Sequence, residues 1–142
     1  MDYTFDFKNK SVVITGGASG IGLECAKGFL QKGAAVYIAD YSTDNLVSAE
    51  RELKGQFPDG KIFFLHCDIT RKEEREKIIS AVKKNTGSAD ILVNNAGVAR
   101  SVYSINETEE GWGGCLTSIL RHSFLCARNL QANFSFLRKR GR

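Results

Sequence analysis

The chain has 142 residues, 42% of them hydrophobic and 25% charged, with one proline and a formal net charge of +4. That length provides for a single core, and that composition excludes the disordered, collagen-like and low-complexity classes. No apolar run approaches the roughly 20 residues that span a bilayer, and the opening MDYTFDFKNK lacks a secretory pattern, so a cytoplasmic protein with no membrane contact is expected.

The first element is an apolar strand in SVVITGGASGIG, residues 11–22, which runs directly into four glycines within seven positions. Ile21, Cys25, Ala26, Phe29 and Leu30 then recur at helical spacing, and Gly33 is placed to stop that helix. Ala34 to Ala39 reads as a second buried strand closed by Asp40, after which Ser42 or Thr43 caps a helix with Leu46, Ala49 and Leu53 on one face. Pro58-Asp59-Gly60 makes a turn into a third strand, Lys61 to Cys67. Thr70 to Glu73 has the spacing of a capping box for a helix running through Ile78, Ile79 and Val82 to Gly87. Ala89 to Val93 supplies a fourth strand, followed by Asn94-Asn95-Ala96-Gly97.

A last helix is expected from Glu107 to about Phe134, capped by Asn106 or Thr108, with Leu116, Ile119, Leu120 and Leu125 as its apolar positions. Gly111, Gly113 and Gly114 in its first turns each cost about 1 kcal/mol relative to alanine. Residues 1–110 carry 14 basic and 16 acidic side chains, whereas residues 111–142 carry 6 basic and none acidic. No recognition motif accompanies those cations, so the closing LRKRGR reads as a solvated tail and no nucleic acid is expected. Cys25, Cys67, Cys115 and Cys126 are too widely spaced for a CxxC motif and read as buried thiols; His66 and His122 read as lone imidazoles, so no metal site is expected.

Strands alternating with helices at this spacing imply an α/β fold, a doubly wound parallel sheet with right-handed crossovers and helices on both faces. In such a sheet, ligands lie beyond the carboxyl ends of the strands, where the winding reverses. A strand, a glycine turn and a helix N-terminus in sequence can hold a phosphate with main-chain N–H groups. Gly16 would permit the tight turn, Gly20 leave room for a pyrophosphate, and Gly22 let the helix pack closely on the sheet, with Ser19 adding a hydroxyl. Asp40 ends the second strand 18 positions past Gly22, where a carboxylate can accept from an adenosine ribose and repel a 2'-phosphate. NAD rather than NADP is the cofactor this predicts, with Tyr41 beside it. Asp68 ends the third strand, placed to bond an adenine amino group while Ile69 packs on the ring. Asn95, Ala96 and Gly97 follow the fourth strand, small residues that let a cofactor pass after an amide that can tie strand ends together.

TGGASGIG, the strand-end Asp40, CDIT and NNAG, in this order, resemble the short-chain dehydrogenase/reductase family over residues 8–112 or so. The resemblance implies an NAD-linked oxidoreductase acting on an alcohol or carbonyl, commonly as a dimer or tetramer. It also implies that Asn94, Ala96 and Gly97 belong to a motif that stabilises the central sheet and lines the cofactor site. Family members transfer a hydride with a serine, a tyrosine and a lysine four residues beyond it, aided by an asparagine. Here the residues four past Tyr3, Tyr37, Tyr41 and Tyr103 are Phe7, Tyr41, Asn45 and Glu107, so no Tyr-x-x-x-Lys exists. The family's asparagine position, seven past Trp112, is Ile119.

No catalytic residue is therefore assigned. Two readings follow. In one, residues 1–110 are the nucleotide-binding half of such a domain and residues 111–142 a partial or aberrant helix with a basic tail, the remainder lost by truncation or a changed reading frame. In the other, the chain is a non-catalytic NAD-binding or interaction module that completes its sheet with a partner, a homo-oligomer among the options.

Overall fold

A computed structural model describes residues 5–97 and 108–131. Eight elements follow one another as β1 (Ser11–Thr15), α1 (Gly20–Gln31), β2 (Ala35–Asp40), α2 (Thr43–Gln56), β3 (Ile62–His66), α3 (Lys72–Asn85), β4 (Ile91–Asn94) and α4 (Glu109–Gln131). The four strands form one sheet in the order β3-β2-β1-β4, and every neighbouring pair is parallel. The chain steps outward from β1 to β3, then returns to place β4 on the other side of β1. The winding reverses at β1, the α/β doubly wound arrangement that the alternation of elements predicts.

Strand residues alternate between two cores. Val12, Ile14, Val36 and Ile38 face one layer with Ala26, Leu30, Leu46, Ala49 and Leu53 of α1 and α2. Val13, Tyr37 and Ala39 face the other with Ile78 and Val82 of α3. Tyr37 is wholly buried, stacks on Phe63 at 4.5 Å, and shares a 3.0 Å hydrogen bond with Thr86 just past α3. Its hydroxyl thus has the partner that burial demands. β1 and β2 are buried along their whole length, whereas the edge strands β3 and β4 are half-buried.

Several expectations are refined here. Ser42, not Thr43, caps α2, its hydroxyl accepting from Asn45 N at 3.3 Å. Thr108 caps α4, accepting from Gly111 N at 3.0 Å; Asn106 and Tyr103 lie outside the described residues, as does the closing basic segment. Ile21, expected on the packed face of α1, is 78% exposed; the buried positions of that helix are Gly22, Ala26 and Leu30. Cys67 and Cys126 are buried as expected, but Cys25 is only half-buried. The capping box at Thr70–Glu73 does not form: α3 starts at Lys72 after Arg71, without a side-chain cap. Glu74 reaches back instead, accepting from Asp68 N at 2.7 Å.

α4 tolerates its glycines and packs on α3 and β4. Of its expected apolar positions, Leu116, Ile119 and Leu120 are exposed, as is Phe124, while Cys126 is buried. Among the described residues no helix is long and apolar enough to cross a membrane, and no group of three His, Cys, Asp or Glu side chains could hold a metal ion.

Candidate dinucleotide site

β1 ends in a loop that turns at Gly16, φ +60°, and enters α1 at Gly20, φ +51°. Gly16 N donates to Ala39 O at 2.7 Å, holding the loop against the end of β2. A Cβ on Gly16 would stand 2.9 Å from Ala96 Cα, so loop and post-β4 segment meet backbone to backbone. A Cβ on Gly22 would stand 2.6 Å from Asn95 Nδ2 and strike the Gly16 carbonyl. Gly22 therefore makes room for the loop and for Asn95, where the sequence had suggested room for the sheet. At Gly20 a Cβ would meet nothing within 4 Å. The space over the start of α1 is open, and there N–H groups and helix dipole favour an anion.

β1 and β4 are tied at this end by a small polar network. Thr15 Oγ1 accepts from Asn95 N and Ala96 N, both at 3.2 Å, and donates to Val93 O at 3.4 Å. That uses the hydroxyl's one proton and both lone pairs. Asn95 Nδ2 donates to Thr15 O at 3.2 Å and to Gly16 O at 2.8 Å. The amide at Asn95 thus joins the two strand ends, the role expected of it.

Asp40 is 7% exposed and anchors the second strand end. Its Oδ2 accepts from Ala18 N at 3.1 Å, its Oδ1 from Ser42 N at 3.0 Å. A carboxylate offers about four acceptor positions, so these two bonds leave capacity for a ligand hydroxyl. Tyr41 beside it is exposed. At the third strand end, Asp68 Oδ1 accepts from Thr70 N at 2.9 Å. Burial opposes the ionised Asp68, but the Thr70 hydrogen bonds, with Arg71 and His122 nearby, outweigh it and hold the carboxyl below its usual 3.8. The Asp68 N–H likewise holds Glu74 below its usual 4.5. Burial, then Glu74, pushes the Cys67 thiol up to about 12, so it stays protonated at neutral pH.

These strand ends enclose a cavity of about 450 Å³, within the range of small-molecule sites. Gly16, Ser19, Asp40, Tyr41, Asp68, Ile69, Asn95, Ala96 and Gly97 line it; of the expected residues, Gly20, Ile21 and Gly22 do not. Ser19 makes no capping bond to its own helix, which leaves its hydroxyl available. Ala39, Asn45, Cys67 and Thr70 also line the cavity and were missed. Each lies within a few residues of a strand end that the motifs mark, so widening those ends is the signal that finds them. A larger groove of about 990 Å³ lies at the strands' amino ends, bordered by Leu30, Phe57 and Asn85, where α1, α2 and α3 finish. Helix C-termini carry the negative end of the dipole, so that groove is ill-suited to a phosphate. The residues at the carboxyl ends fit a dinucleotide: open space over a helix N-terminus and a strand-end carboxylate with acceptor capacity. Ile119 of α4 borders this region, its Cγ1 3.5 Å from where a Gly97 Cβ would stand. An apolar side chain thus occupies the position that the resemblance assigns to an asparagine.

Comparison with known proteins bears on this geometry. The family described as short chain dehydrogenase matches residues 10–142. An NAD-dependent glycerol dehydrogenase from Listeria innocua is 36% identical over 127 residues, which cover 89% of this chain and 48% of that one. The 3-oxoacyl-[acyl-carrier-protein] reductase FabG from Thermotoga maritima is 33% identical over 117 residues, 82% of this chain and 47% of its own length. Among solved structures, a short chain oxidoreductase with an atypical catalytic center from Pseudomonas aeruginosa superposes with a TM-score of 0.83 at 31% identity, covering 91% of this chain and 49% of that one. L-sorbose reductase from Gluconobacter frateurii, complexed with NADPH and L-sorbose, gives a TM-score of 0.77 at 31% identity, covering 90% and 48%. The chain spans about half the length of the curated relatives it matches. With its glycine loop, reversed winding and tied strand ends, it belongs to the short-chain dehydrogenase family.

Proposed function

We propose that this chain is the NAD-binding half of a short-chain dehydrogenase and, taken alone, transfers no hydride. The observation that carries the NAD preference is Asp40, a carboxylate at the end of β2 that lines the cavity beside the glycine loop. A 2'-phosphate brought there would meet a like charge in a partly desolvated site, while a ribose hydroxyl would find an acceptor. Relatives include both an NAD-dependent enzyme and one complexed with NADPH, so the preference rests on Asp40. In this reading Ser19 and the N–H groups around Gly20, Ile21 and Gly22 take the diphosphate, Asp40 and Tyr41 the ribose, and Asp68 and Ile69 the adenine. Asn95, Ala96 and Gly97 form the passage toward the nicotinamide, which when bound supplies the hydride chemistry.

The lack of turnover follows from the lack of a proton carrier. None of the four tyrosines has a lysine four residues on, so no ammonium is in place to lower a phenol's pKa. An added NADH solution should change in fluorescence with the purified protein and not with Asp40→Ala. Reduction of any ketone by this chain, lost in Tyr103→Phe, would contradict the claim of inactivity. Residues 1–110 then form the nucleotide-binding half, and residues 111–142 the partial helix and basic tail.

Among the described residues no strand pairs with the outer edge of β4, and this edge with the exposed Leu116, Leu120 and Phe124 of α4 favours a second reading. In it a partner completes the sheet, since open strand edges and apolar helix faces invite association. Light scattering across protein concentrations separates the two: a defined NAD-binding oligomer supports the module, and progressive aggregation supports the isolated half. A cytoplasmic setting fits either.

A further inference from the structure

Resting on the cofactor reading above, we propose that Glu74 and Arg75 of α3 are positioning residues that hold residues 68–70 in the shape that receives the adenine ring. The loop's hydrogen bonds divide into two sets. Its inner groups are satisfied locally, with Thr70 N on Asp68 Oδ1 at 2.9 Å and Arg71 N on Asp68 O at 3.1 Å. Two further groups, the N–H of Asp68 and the C=O of Ile69, are held from outside the loop. Adjacent side chains of one helix take both: Glu74 Oε2 accepts from Asp68 N at 2.7 Å, and Arg75 Nη1 donates to Ile69 O at 2.6 Å. Asp68, Ile69 and Thr70 all line the cavity, whereas Glu74 and Arg75 stand behind them.

Arg75 is the unusual member. It is 6% exposed, and its Nε has no hydrogen-bond partner. Among the described residues it forms no ion pair with any carboxylate. Burying a guanidinium in that state carries a desolvation cost that one carbonyl does not offset. An unbranched apolar side chain of similar length would fill the seam at no such cost. Arg75 therefore contributes little to the stability of the fold, and it reaches the pocket through the Ile69 carbonyl. Loop placement and stability should then respond in opposite directions when it is replaced.

The test is calorimetric titration of the full chain with 5'-AMP, which probes the adenosine end alone, alongside thermal unfolding. Arg75→Met should weaken 5'-AMP about tenfold, the worth of one lost hydrogen bond to the loop, with a midpoint unchanged or raised. Arg75→Lys, which keeps a donor, should stay within about threefold of the parent, and Glu74→Ala should weaken binding about tenfold. Should the methionine variant not fold, Glu74→Ala decides by the same titration. Unchanged 5'-AMP affinity in a folded Arg75→Met or Glu74→Ala overturns the proposal, as does a lowered midpoint in Arg75→Met that lysine fails to restore. A parent chain that ignores 5'-AMP removes the cofactor reading itself, a result distinct from either.

Discussion

Asp40 Oδ2 lies 3.1 Å from the backbone nitrogen of Ala18, so the carboxylate that ends β2 also fastens the glycine loop that follows β1. One buried side chain shapes the glycine loop and, in the proposed reading, faces the ribose. Its second oxygen holds Ser42 N at 3.0 Å, at the entry to α2. Asp40→Ala should therefore cost about 1–3 kcal/mol in urea unfolding, because two backbone donors lose their acceptor. Asp40→Asn, which keeps one acceptor, should cost about half as much.

Three glycines separate packing from propensity. Gly22→Ala should destabilise by about 1–3 kcal/mol, since the new methyl would strike the Gly16 carbonyl and Asn95 Nδ2. Gly28→Ala, exposed in the middle of α1 with nothing within 4 Å of its Cβ, should stabilise by about 0.5–1 kcal/mol. Gly20→Ala meets open space but at φ +51°, so it should cost about 1–2 kcal/mol through the left-handed backbone and, beyond that, weaken NAD, since the methyl would enter the space read as the diphosphate site. Thermal unfolding with and without NAD distinguishes all three.

Much of this was legible beforehand, for identifiable reasons. Alternating apolar runs and glycine stops located the sheet, and strand-end positions such as Asp40 and Asn95 were found because parallel sheets collect ligands there. Periodicity was less informative about facing. Ile21 has the spacing of a packed residue but is 78% exposed, the buried face of the first turn being taken by Gly22. The Thr70–Glu73 spacing suits a capping box, yet the helix begins later and Glu74 is the residue that turns back. Leu116, Ile119 and Leu120 have core character but are exposed, because α4 rests chiefly on α3 and β4 and these side chains are left uncovered by the described residues. Arg75 carried no signal at all, since a charged residue in a run of charges reads as solvated, and only the packing of α3 buries it.

Acid should unfold the chain partly through Glu74. Its carboxyl sits below the usual 4.5 because the Asp68 N–H stabilises the ionised form. A carboxylate depressed in the folded state contributes stability above its unfolded value and loses it as the pH falls through the folded one. Urea midpoints should hold from pH 7 to about 5 and drop below the usual carboxylate range. Glu74→Gln should flatten part of that drop; an unaltered profile would contradict the assignment.

Thiol chemistry should follow burial. With its thiol pushed up to about 12, Cys67 should resist disulfide-exchange reagents at pH 8 until the chain unfolds, and buried Cys126, also raised by burial, should behave alike. Half-buried Cys25 should react first. Labelling in a Cys115→Ser background with peptide mapping checks the order, and early modification of Cys67 would argue against the packing of β3 on α3.

The measurement closest to the central claim is calorimetric titration of the purified chain with NAD and, separately, with NADP. Saturable NAD binding, at least tenfold tighter than NADP and abolished in Asp40→Ala, is the predicted result. Absence of heat with both dinucleotides, or tighter binding of NADP, would contradict it.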